Sequence, residues 1–322
     1  MTFKNLALCA AGWACVAATG AVFAADRLQA DDGVLPREVV AAASVFDGYM
    51  SRAATIGARF DGPGSVADSV RAGAAYEPKQ LEEGMLGYAA LAALGDDRFV
   101  GGVERAAGHG EARREFARRL TLDPFAATRI DGAEEAAGRI DAALGARSAP
   151  LMSAALRVKR AAYDVQHQAW SKVMVVDAAA RLAQVKTLSR SPTEAIDGEG
   201  PNLPELSDSG PVGQARDPAT GYTQVEIKAL ALAAVAILGQ AHDEAVLPLL
   251  TDRASSECLR MSKLNLYQCM AAAGPEYEDI FCLGQHAMAD TSQCVLDTLP
   301  ARPAGAGGAY ASLASHRPLA GR

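Results

Sequence analysis

Four cysteines between positions 258 and 294 constrain this chain more than any other feature. They fall in two similar halves, ECLRMSKLNLYQCM and FCLGQHAMADTSQCV, each holding Cys-Leu near its start and Gln-Cys near its end, with Gly274-Pro275 between them. If 252–272 and 276–296 are two helices folded back at that turn, helical rise decides the pairing. Cys258 and Cys269 are eleven residues apart, about 16 Å along an α-helix, whereas a disulfide needs Cα atoms within about 7 Å. Pairing within either helix is excluded. Crossed pairing of Cys258 with Cys282 leaves an axial offset of about 13 Å by the same rise. A nested ladder fits: Cys269 with Cys282 beside the turn, and Cys258 with Cys294 at the open end.

Disulfides require an oxidising compartment, and the first 24 residues supply the expectation of one. Lys4 precedes an apolar run from Leu6 to Ala18, followed by Val22-Phe23-Ala24. That is the layout of a signal peptide cut after Ala24, and the run is too short to cross a bilayer as a helix. Cys9 and Cys15 leave with it. The expected location is therefore the periplasm or the exterior, with no membrane span after cleavage. The layout of the ladder resembles the twin-cysteine hairpin of mitochondrial coiled-coil-helix proteins over about 40 residues. That family has nine residues between the cysteines of each arm, whereas this chain has ten and eleven. The resemblance implies a shared geometry only. Each bridge is worth about 2–4 kcal/mol, which matters for a C-terminal block with a small core.

The rest of the chain reads as all-α. It is alanine-rich, only 6% aromatic, and poor in β-branched runs. Apolar residues step by three and four along 39–60 (Val39, Ala43, Phe46, Met50, Ala53, Gly57). Shorter helices are expected at 65–75, 78–94, 96–107, 111–122 and 128–144. The longest stripe runs over 148–188 through Leu151, Ala155, Val158, Ala162, Val165, Ala169, Val173, Val176, Ala180 and Ala183, and predicts one long helix or a kinked pair. Residues 189–222 carry five prolines without apolar period and read as a disordered linker. Helix returns over 223–239, and 300–322 reads as a disordered tail. The expected organisation is a signal peptide (1–24), a helical domain (36–188), the linker, a second helical domain bearing the cysteine hairpin (223–299), and the tail. Ala112, Phe116 and Pro124 match part of a tetratricopeptide repeat, but Pro150 and Val158 stand where the next Phe and Pro should fall.

Candidate chemistry is sparse. A net charge of −7 argues against nucleic acid or anionic membrane as the main partner. No metal-hydrolase, nucleophile-elbow or phosphate-loop motif is present, and no cofactor is implied. Tyr163, His167 and Trp170 stand together on the long stripe and form a candidate ligand pocket facing the cysteine hairpin. His286 and Met288, near Cys282, Met261 and Met270, suit a soft metal, but oxidised cysteines are not thiolate ligands. Arg113, Arg114, Arg118 and Arg119 alternate with Glu111 and Glu115 as a solvated helix face. Glu134 and Glu135 also read as a solvated face, and Glu276, Glu278 and Asp279 as the first turn of a helix. Two classes follow. The first is an exported, non-enzymatic scaffold or protein-binding module with an envelope protein as partner. The second is a periplasmic protein that binds a small ligand or soft metal.

Overall fold

The computed structural model describes residues 35–190, 200–204, 221–241 and 243–300. The expected signal peptide, the tail from 301 and most of the expected linker lie outside these residues. Everything regular among the described residues is helical, apart from one isolated bridge between Met174 and Pro275. No helix among them is long and apolar enough to cross a membrane.

Helix α1 (Arg37–Ala54) buries Val39, Ala43, Phe46, Met50 and Ala53, the stripe read from the sequence. It stops six residues before the expected end. Thr55 Oγ1 donates to the Arg52 carbonyl at 2.7 Å, and Gly57 follows. The Asp61-Gly62-Pro63-Gly64 stretch opens the next helix, α2 (Pro63–Ala74), with Pro63 in its first turn. Helix α3 (Pro78–Leu94) is capped by Glu77, whose carboxylate accepts from Lys79 N and Gln80 N. It is buried on nearly all sides and crosses α1 closely. A Cβ on Gly84 would sit 2.3 Å from the Ala42 carbonyl oxygen, so only glycine fits.

Helices α4 (Asp97–Ala107) and α5 (Glu111–Leu122) lie where expected. The helices expected at 128–144 and 148–188 are divided differently. One helix, α6 (Ala133–Val165), runs through Gly145 and Pro150. Pro150 removes the hydrogen bond to the Ala146 carbonyl, but both residues are exposed, so that carbonyl is open to solvent and the loss costs little. The long stripe instead breaks after Val165. Ser171 Oγ donates to the Val165 and Gln168 carbonyls, and the β-branched run Val173, Val175, Val176 disfavours helix. Asp177 then caps α7 (Ala178–Leu188) through Ala180 N at 2.8 Å.

Of the 189–222 stretch, residues 189–190, 200–204 and 221–222 are described. Asn202 N donates to Asp47 Oδ2 at 2.8 Å, and its carbonyl accepts from Tyr88 OH at 3.1 Å and from Arg147. Arg147 Nε lies 2.6 Å from Asp47 Oδ1. Helix α8 (Gln224–Ile237) starts with a Thr223–Glu226 capping box and is apolar on nearly every side. A single helical turn (Asp243–Val246) and a 3₁₀ turn (Leu247–Leu249) lead to the hairpin. Side chains from both the 36–188 and 223–299 stretches belong to one continuous core.

Candidate functional site

The hairpin consists of α9 (Arg253–Ala272), α10 (Glu276–Cys282), a π-helical stretch (Leu283–Ala289) and α11 (Asp290–Leu296). Its bridges are nested as helical rise requires: Cys258–Cys294 and Cys269–Cys282, each with Cα atoms 5.6 Å apart. The π stretch was not legible as such, yet cysteine spacing demands something like it. Cys258 to Cys269 is eleven steps, about three full turns of α-helix, whereas Cys282 to Cys294 is twelve. At about 100° per residue, the twelfth step would swing Cys294 a third of a turn off the seam. Wider i→i+5 turns absorb one extra residue and return Cys294 to face Cys258.

Buried hydroxyls meet the π stretch. Tyr49 OH donates to the Ala287 carbonyl at 2.8 Å and Ser262 Oγ to the His286 carbonyl at 2.8 Å. Tyr76 OH lies 2.8 Å from Thr291 Oγ1 and 3.2 Å from Ser262 Oγ. Lys263 completes the cluster. Its Nζ donates to the Ala74 carbonyl at 2.9 Å and stands 3.2 Å from the Tyr76 ring centroid. Burial holds the Lys263 amine well below its ordinary pKa and pushes the Tyr76 hydroxyl up to about 12. These residues line neither of the two clefts described below.

The side of the hairpin turned toward the end of α6 is different. A cleft of about 410 Å³ opens there, walled by Tyr163 and Ala162 of α6, by Tyr277, Glu278 and Phe281 of α10, and by the Cys269–Cys282 bridge. Tyr163 meets Phe281 edge to face, with centroids 6.1 Å apart. Glu278 Oε2 accepts from Gly274 N at 2.8 Å and Oε1 from Tyr277 OH at 3.4 Å. Beside the cleft, the segment after α6 lies against the hairpin turn. Val175 N donates to the Gly274 carbonyl at 2.9 Å and Glu276 N to the Val173 carbonyl at 3.2 Å. Val173 and Val176 are exposed, Val176 fully, while Met174, 63% exposed, lays the end of its side chain over Gly274.

Arg181 of α7 secures the next stretch of that segment. Its Nη1 lies 2.7 Å from both carboxylate oxygens of Asp279, and Nη2 donates to the Met270 and Ala273 carbonyls at the end of α9. Burial pushes the Asp279 carboxyl up to about 7; Arg181 opposes that rise, and Glu276 and Glu278 add to it.

The candidate pocket residues therefore separate. Tyr163 walls the main cleft, His167 lines a shallower neighbouring one with Gln166, Met174 and Tyr277, and Trp170 lines neither. The Trp170 indole N–H donates to Gln168 Oε1 at 2.5 Å. His286 Nδ1 pairs with Asp290 Oδ2 at 2.8 Å, and Met288 is buried core. Among the described residues no three His, Cys, Asp or Glu side chains converge as a metal site. On α5, Arg113 donates to the Ile237 and Leu238 carbonyls at the end of α8, while Arg118 pairs with Glu115. Sequence reading missed Tyr277, Glu278 and Phe281 as cleft residues. Their i and i+4 aromatic spacing on one short helix was the available signal.

No protein-family model, curated protein or solved structure matches this chain. Its two disulfides are compatible with an exported helical protein.

Proposed function

We propose that this is an exported, non-enzymatic binding module that works through the corner formed by the end of α6, the segment 173–176 and the turn end of the cysteine hairpin. The observation that carries this reading is the conjunction of an open aromatic cleft with three exposed apolar side chains on an anchored backbone. Val173, Met174 and Val176 are respectively 51%, 63% and 100% exposed, and Met174 lines the cleft that shares Gln166 and Tyr277 with the aromatic one. Contiguous exposed apolar surface on a soluble fold marks binding, and concave, mostly apolar sites with a few polar groups are where ligands sit. The small bridge and the backbone bonds to Gly274 and Glu276 make the face rigid before a partner arrives. Export is the reading of residues 1–24 together with the two bridges.

Photo-crosslinking from position 174 of the oxidised full chain, in an envelope fraction of its own host, tests this. The same probe at position 118, on the charged face of α5, is the reference. A discrete adduct from 174 that Tyr163→Glu removes is the expected result. Equal adducts from both positions, or none from 174, would sink the reading.

A further inference from the structure

We propose that the cleft at the hairpin turn is a site for a small organic cation with alkyl groups on its nitrogen, a quaternary ammonium above all. The proposal rests on the reading of this corner as a binding face and names its ligand class.

Three aromatic rings, Tyr163, Tyr277 and Phe281, wall a single cleft of about 410 Å³. Ring faces carry negative potential and attract cations, most strongly those that are weakly hydrated. Phe281 already shows this chemistry, because Lys159 Nζ stands 5.5 Å from its centroid. Lys159 is not part of the cleft wall, and its amine is held by Gln285 Oε1 at 2.6 Å.

Glu278 supplies the charge. Its carboxylate is fixed by two neutral donors, Gly274 N–H and Tyr277 O–H, and no Lys or Arg among the described residues pairs with it. The neighbouring Asp279 differs, because Arg181 already answers its charge. The cleft thus combines an unmatched carboxylate, three rings and the methyl groups of Ala162, Ala272 and Ala273. A metal ion would find one carboxylate where it needs several oxygens. An uncharged apolar molecule would gain from the rings and nothing from Glu278. An alkylated ammonium uses both.

The test is a calorimetric titration of the oxidised full chain with choline and with 3,3-dimethylbutan-1-ol, which has the same shape with carbon in place of the charged nitrogen. Choline is expected to saturate with a Kd on the order of 1 mM or tighter, roughly tenfold tighter than the alcohol. Glu278→Gln keeps an acceptor for Gly274 N–H and should weaken choline about tenfold, with the near-ultraviolet circular dichroism unchanged. Lys159→Met removes a repelling charge and should tighten choline about 2–3-fold, an effect no purely structural role predicts. If the alcohol binds as tightly as choline, or Glu278→Gln leaves choline affinity unchanged, the cation assignment is overturned while the corner remains a binding face. If choline does not saturate, the assignment is likewise overturned, and crosslinking from position 174 decides the wider reading separately.

Discussion

The two sides of the stapled hairpin handle their chemistry in opposite ways. Toward α1 and α2, the hydroxyls of Tyr76, Ser262 and Thr291 bond one another, Tyr49 and Ser262 donate to carbonyls of the π stretch, and the Lys263 amine donates to the Ala74 carbonyl over the Tyr76 ring. Toward the end of α6, aromatic rings stand around an open cleft, Glu278 has no cationic partner among the described residues, and valines and a methionine are exposed. The first side spends polar groups on holding a widened helical turn in place. The second leaves apolar and charged groups unmatched on a rigid frame. Saturation marks structure and incompleteness marks a place for something else, because an unmatched buried or half-buried group costs stability unless a ligand completes it.

Breaking the bridges gives the largest expected effects. Replacing Cys258 and Cys294 together by alanine should cost about 4 kcal/mol and replacing Cys269 and Cys282 about 3 kcal/mol, because the first closes a longer loop. Urea unfolding of the two double variants checks the order. The smaller loss should nevertheless do the greater harm at the cleft, whose wall contains the turn-end bridge. On the closed side, Ser262→Val leaves the His286 carbonyl without its donor and should cost about 2 kcal/mol.

The pair Asp279–Arg181 links the two sides and carries a pH signature. With its folded pKa raised from the ordinary 3.8 to about 7, Asp279 holds its proton more tightly in the folded chain than in the unfolded one. Its contribution is therefore fully present below about pH 4 and is lost as pH rises toward 7. Unfolding free energies at pH 4, 5.5 and 7 should fall along this window in the parent and flatten in Asp279→Asn. The smallest effect belongs to the open side, where Val176→Ser, at a fully exposed position, should change stability by less than about 0.5 kcal/mol and still remove the partner crosslinked from position 174.

Much of the architecture was legible because one kind of contact decided it. Helical rise alone selected the nested bridges, and α5 runs over the residues expected of it, 111–122. The α6 region was not legible. Gly145 and Pro150 signal a break, but Pro150 lies on the solvent face, where losing a hydrogen bond costs little. The period of three and four continues through Ala169, Val173, Val176 and Ala180, although all four are exposed. Periodicity counts apolar residues without knowing whether a core lies opposite them. That false continuation is where the exposed apolar segment lies, so the misread stretch and the proposed binding face coincide. The π stretch was hidden for another reason. Its only trace is one extra residue between Cys282 and Cys294, which acquires meaning once both bridges are known to align.

The central claim is that the open side binds and the closed side does not, and backbone amide chemical shifts during a choline titration test it directly. Saturable shifts are expected at Tyr163, Tyr277, Glu278 and Phe281, with Tyr49, Tyr76, Ser262 and Thr291 silent. Shifts of equal size on both sides of the hairpin, or confined to the closed network, would contradict it.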